Sequence, residues 1–196
     1  MARAALSADV VVDLALQVVD ELGPAALTLS AVADRAGVAA PSLYKHVRNL
    51  AELRGLVSTR ITDEIADRVG EAVLGRSADD AVRALMTAWR RYAQRHPHRY
   101  SALVQTSGPR TSEAGARLLG ILSATLRAYG MDDSAVVHAA RCLRAAVHGF
   151  AVLEAENAFG LPEQPDESYD LLIRMMAAGL SALRPGPPPA TGGGDG

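Results

Sequence analysis

Apolar residues recur at spacings of three and four through almost all of this 196-residue chain, and no stretch alternates apolar with polar positions convincingly. A spacing of three and four is the helical period, whereas a half-buried strand needs a period of two. The expected fold class is therefore all-α. The breaks between helices can be read from caps and stops. Ser7 can cap a first helix over 8–22, with Val11, Leu14, Ala15, Val18 and Leu22 on one face, and Gly23-Pro24 ends it. Thr28 can cap a second over 29–36, closed by Gly37. A third, over 41–46, begins at Pro41, a residue suited to a first turn. Asn49 then opens a long helix over 50–73, and Asn49 with Glu52 has the spacing of a capping pair.

After Gly75 the helices lengthen. Residues 79–96 place Val82, Leu85, Met86, Trp89 and Tyr92 on one side. Pro97 interrupts and can start a short helix through Val104, and Gly108-Pro109 is another break. Helices over 112–129 and 133–159 follow, then the linker LPEQPDES and a last helix over 167–183. From Pro185 the run is rich in Pro and Gly and poor in apolar residues, so residues 185–196 are expected to be disordered. The expected organisation is a helix-turn-helix domain at 1–50, a connecting helix at 51–75, and a C-terminal helical bundle for ligand binding and dimerisation at 76–184.

Charge and chemistry narrow the function. Net charge is −2, which rules out global basicity but not a local basic patch. Cys142 is the only cysteine, so one chain can form neither a disulfide framework nor a cysteine-rich zinc site. Asp9, Asp13 and Asp20 interrupt what would otherwise be an apolar leader. No apolar run approaches the roughly 20 residues that span a bilayer, and a cytoplasmic protein without a membrane partner is expected. His138 and Cys142 share a helical face, but the sequence has no Glu-x-x-His pair, no nucleophile–base spacing and no phosphate loop. No catalytic residue, metal or cofactor is expected.

The strongest local pattern spans 28–47. Two short helices joined at Gly37 carry Val32, Ala33, Val38, Leu43 and Val47 at spacings that pack them together, which is the helix-turn-helix arrangement. Leu43 and Val47 point to the core. Ser42, Lys45 and His46 point away from it, with Tyr44 at the margin. Their hydroxyls, amine and imidazole suit phosphate oxygens and base edges. The plain alternative is a solvated polar face.

The stretch LTLSAVADRAGVAAPSLYKHVRNLAEL resembles the DNA-binding domain of the tetracycline-repressor family of bacterial regulators. The likeness is carried by Leu27-Thr28, Ala33, Ala36-Gly37-Val38 and the run Ser42 to Val47. It implies a homodimer reading a palindromic double-stranded DNA operator, usually as a repressor. It places Thr28, Ser42, Tyr44, Lys45 and His46 at positions that commonly touch DNA, with Pro41 where the recognition helix begins. Many members have Lys where this chain has Leu50, and the expected substitute is either Arg48 or the free backbone amides near Asn49 at the helix start. Farther on, AWRRYAQRHPHRYSALV and RAAVHGFAVLE resemble a C-terminal subtype with a Trp-His-Gly signature, here Trp89 and His148-Gly149.

In the C-terminal half, Met86, Trp89, Tyr92, Tyr100, Leu103, Leu122, His148 and Phe150, with Leu119 beside them, are candidates to line an apolar pocket for a small-molecule effector. The alternative is a filled bundle core that only dimerises. Arg90, Arg91, Arg95 and Arg99 read as a solvated face. The broad apolar sides of 133–159 and 167–183 need a partner, and the resemblance supplies one, a four-helix bundle made with a second subunit.

Overall fold

The computed structural model describes residues 6–105 and 113–183. Those residues are helical with no strand among them. In order they form α1 (Ala8–Leu22), α2 (Leu29–Ala36), a tight 3-10 segment (Ala40–Lys45), α3 (Leu50–Val73), α4 (Ala78–Arg95), α5 (Pro97–Gln105), α6 (Glu113–Arg127), α7 (Asp133–Ala155) and α8 (Pro165–Ala182). A single tight turn, Pro24–Ala26, links α1 to the segment that leads into α2.

The caps are made by the side chains the sequence offers. Ser7 accepts from the Val10 amide at 3.3 Å, Thr28 from Ala31 at 3.1 Å, Asn49 from Glu52 at 2.9 Å and Asp132 from Ala135 at 2.8 Å. Each satisfies one of the amides that a helix start leaves without an internal acceptor. Gly37 closes α2 in the left-handed region, at φ 64° and ψ 39°, a conformation that costs glycine little.

One apolar core runs through both halves. Val11, Ala15, Val18 and Val19 of α1 meet Val32 and Ala33 of α2, Leu43 of the 3-10 segment, and Leu53, Val57 and Ile61 of α3. Farther along, Ile65, Ala66 and Val69 of α3 join Val82, Leu85, Met86 and Trp89 of α4, and the core continues into α6 and α7. α3 packs mainly on α4 and α6, and also touches α1 and α5. A single 24-residue rod, about 36 Å long, therefore runs from the turn motif to the bundle.

The structure departs from expectation at several places. The third helix is a 3-10 segment rather than an α-helix: the Ser42 amide donates to Ala39 at 2.8 Å, and His46 donates to Leu43 at 2.8 Å. Pro41 has no amide to give, and six residues are too few to sustain an α-helix alone. Leu22 is not on the buried face of α1; it is 63% exposed, and Val12, Leu16 and Val19 are buried instead. α7 stops at Ala155, not 159, and Asn157 turns away at φ 53°. α8 starts earlier than expected, with Pro165 in its first turn. α7 is also, by length and composition alone, long and apolar enough to cross a membrane, contrary to the sequence reading. Its buried stripe, Val136, Ala139, Ala140, Leu143, Val147 and Ala151, packs on α4, α6 and α8. The break at Gly108-Pro109 and the tail at 185–196 lie outside the described residues.

Candidate nucleic-acid interface

The turn motif is built from the inside out. Leu43 and Val47 are buried, at 0% and 2% exposure, and the Val47 amide donates back to the Leu43 carbonyl at 3.0 Å. Burial of these two side chains holds the 3-10 segment against α2. The opposite side is left to solvent: Pro41, Tyr44 and Lys45 are exposed, Ser42 and His46 half-buried. Tyr44 is 56% exposed, with its ring and hydroxyl both open to solvent contact. Thr28 is exposed at the start of α2, where its hydroxyl oxygen is taken by the Ala31 amide while its proton stays available.

Arg48 is exposed but not uncommitted. Its Nε donates to Glu52 at 3.1 Å, and its backbone amide donates to the same carboxylate. This hydrogen bonding holds the Glu52 carboxyl below its usual range and pushes the Arg48 guanidinium up. Arg35 is likewise engaged by the Glu21 carboxylate, and Arg60 reaches Asp13 at 2.7 Å and Asp9 at 3.4 Å.

The candidate effector residues divide among three surroundings. Trp89 and Tyr100 are both 2% exposed; the indole Nε1 donates to the Tyr100 hydroxyl at 3.1 Å, and that hydroxyl sits 2.8 Å from His148 Nδ1. Met86, Leu103 and Leu122 are buried in the same core. Phe150 is half-buried against Phe159 and Tyr169, with ring centroids 4.8 Å away in each case. Tyr92 instead turns toward α3, donating to Glu64 at 2.7 Å. Burial first and that carboxylate second push its phenol well up. Leu119 is 48% exposed and lines nothing in the core. A Cβ added at Gly149 would meet nothing within 4 Å, so among the described residues no other helix approaches it closely.

Two of the arginines read as solvated are instead bound inside the fold. Arg90 is 8% exposed; it donates to Glu154 at 2.9 Å and to Asp166 at 2.7 Å, and its guanidinium lies 4.6 Å from the centre of the Tyr169 ring. It ties the end of α7 and the start of α8 to α4. Arg99 donates through Nε to Asp20 of α1 at 2.8 Å and through Nη1 to Glu64 of α3 at 2.8 Å. Next to it, His98 Nδ1 lies 2.9 Å from the Asp20 carbonyl oxygen. His98, Arg99 and Tyr100 thus follow one another in α5, the first two facing α1 and α3 and the third facing Trp89 and His148.

These features define a helix-turn-helix protein whose turn motif is joined by α3 to a set of C-terminal helices. Comparison with known proteins gives the family. Residues 13–60 match a model described as a helix-turn-helix domain, and residues 82–176 match one described as a tetracyclin repressor-like C-terminal domain. The chain is 34% identical over 181 residues to the uncharacterized HTH-type transcriptional regulator Rv0681 of Mycobacterium tuberculosis, covering 90% of this chain and 83% of that protein. Among solved structures, BioQ with its double-stranded DNA operator superposes with a TM-score of 0.74 at 24% identity, covering 91% of this chain and 99% of BioQ. A TetR variant of Acinetobacter baumannii in complex with minocycline gives 0.75 at 20% identity, covering 93% and 100%. The chain belongs to the tetracycline-repressor-like family of helix-turn-helix transcriptional regulators.

Proposed function

We propose that this regulator binds a palindromic operator as a homodimer, represses from it, and is released by a small apolar effector. The observation that carries the reading is the two-sided recognition segment, with Leu43 and Val47 sealed in the core while Tyr44, Lys45 and His46 face outward. With Thr28, Pro41, Ser42 and Arg48 around them, these residues form the proposed DNA-contacting set. Selection of bound duplexes from a random DNA pool tests it. A recovered palindrome with half-sites about one helical turn apart supports the reading, and a pool that stays random overturns it.

Dimerisation is assigned to α7 and α8. Val137, Leu153, Leu171 and Met175 of those helices are 38%, 45%, 50% and 62% exposed, and an added Cβ at Gly149 or Gly179 would meet only open space. A second copy covers such a face by a two-fold contact. Trp89, His148 and Gly149 support placing the domain in the Trp-His-Gly subtype.

The effector is assigned to the neighbourhood of Trp89, Tyr100 and Phe150, with Met86, Tyr92, Leu103, Leu122 and His148 around them. A ligand acts on DNA only by binding two conformations unequally. The route we infer runs through α5. An effector that displaces the Tyr100 hydroxyl from Trp89 and His148 moves Arg99 beside it, and Arg99 holds α1 and α3. The bonded, buried Trp89–Tyr100–His148 chain also favours a second reading, in which the C-terminal domain only dimerises. Release of operator by a ligand in the wild type, lost in Trp89→Ala, separates the two.

A further inference from the structure

We propose that Arg54, a residue of α3 outside the turn motif, is a phosphate-contacting cation of the DNA interface. The inference rests on reading Ala40–Lys45 as the DNA-facing segment. It begins from where the positive charge of the N-terminal region is held. The described residues up to Arg60 include five cations: Arg35, Lys45, Arg48, Arg54 and Arg60. Arg35 is held by Glu21, Arg48 by Glu52, and Arg60 by Asp9 and Asp13. Each of these three carries its own counter-charge and must give it up before it can neutralise a phosphate. Lys45 and Arg54 are exposed and have no carboxylate partner among the described residues.

Lys45 lies on the recognition segment itself. Arg54 lies one turn into α3, the helix that starts after four intervening residues, 46–49. Side chains in a helix lean toward its N-terminus and cover the preceding turn. This lean directs a side chain at position 54 back along the first turn of α3, toward the position of Leu50. Its neighbours Leu53 and Val57 face the core, so Arg54 flanks the buried stripe and is not folded beneath it. In a chain whose net charge is −2, the phosphate attraction falls on few groups, and Arg54 is one of them.

Salt dependence of DNA binding measures this directly, because each neutralised phosphate contributes about −0.9 to the slope of log affinity against log salt. The probes are a mixed-sequence duplex and the palindrome selected by the wild type. With two copies in a dimer, Arg54→Gln flattens the slope by about 1.8; over a fourfold rise in salt the wild type then loses about tenfold more affinity than the variant. Arg54→Lys keeps the wild-type slope, and Arg83→Gln, an exposed cation in α4, leaves it unchanged. An Arg54→Gln protein with wild-type helicity and a wild-type slope on both probes would overturn the proposal while leaving DNA binding intact. A wild type that binds neither duplex at low salt would overturn the DNA reading and this inference with it.

Discussion

At the scale of single residues, the exposed side chains are the ones whose loss should cost function without costing the fold. Tyr44 and His46 contribute little to the core, so alanine at either is expected to leave the melting temperature near that of the wild type. On the DNA-contacting role proposed for them, each variant gives up one base or phosphate contact, and operator affinity should fall at least tenfold, about 1.4 kcal/mol, in a gel-shift titration. Arg99 presents the converse. Its side chain is 19% exposed between Asp20 and Glu64, a setting between an exposed pair and a buried one. Arg99→Met leaves two carboxylates facing each other and is expected to cost about 1–2 kcal/mol, read by urea unfolding. The burial of Leu43 and Val47 and the exposure of Lys45 were legible from their spacing alone. Arg90 and Arg99 were not, because periodicity describes a helix's own face. Glu154 stands 64 residues from Arg90, and Asp20 stands 79 from Arg99; nothing local announces such partners.

At the scale of elements, helix starts were the most legible feature, since a cap is a local bargain between one side chain and an amide three residues on. Thr28→Ala and Asn49→Ala should each lower stability by about 1 kcal/mol, and Asn49→Gly by only a few tenths, in thermal melts of the folded protein. The 3-10 character of Ala40–Lys45 was less legible, because a proline-started segment of six residues can close either kind of turn. Beyond Asn49, Glu52 adds a pH dependence of known sign. Its hydrogen bonds to Arg48 lower its folded pKa. The unfolded chain therefore takes up the proton first, near pH 4.3, and stability falls as pH drops through that value toward the folded one. Glu52→Gln removes this part, so the stability gap between wild type and variant should narrow between about pH 5 and pH 3. A gap that widens on acidification would contradict the assignment.

At the scale of the whole molecule, the apolar patterns of 133–159 and 167–183 are wider than one chain can bury, and Leu171 and Met175 remain exposed on α8. Because they support nothing inside the subunit, the pair Leu171→Glu and Met175→Glu should leave helicity intact and yield monomers by light scattering at micromolar concentration. DNA affinity should fall with them, since a lone subunit engages one half-site. Truncation after Leu161 removes α8 altogether and is expected to give monomers or aggregates. The chain also contains one lysine and one tryptophan, and the fold puts them in different halves: Lys45 exposed on the 3-10 segment of the turn motif, Trp89 buried in the bundle. Once the α-amino group is blocked, amine chemistry can therefore attach a fluorescent acceptor to that segment at a single side chain, and ultraviolet excitation has a single indole donor in each subunit. Energy transfer between the two is a ruler already built into the native sequence, laid across the joint between domains and requiring no engineered residue to read it.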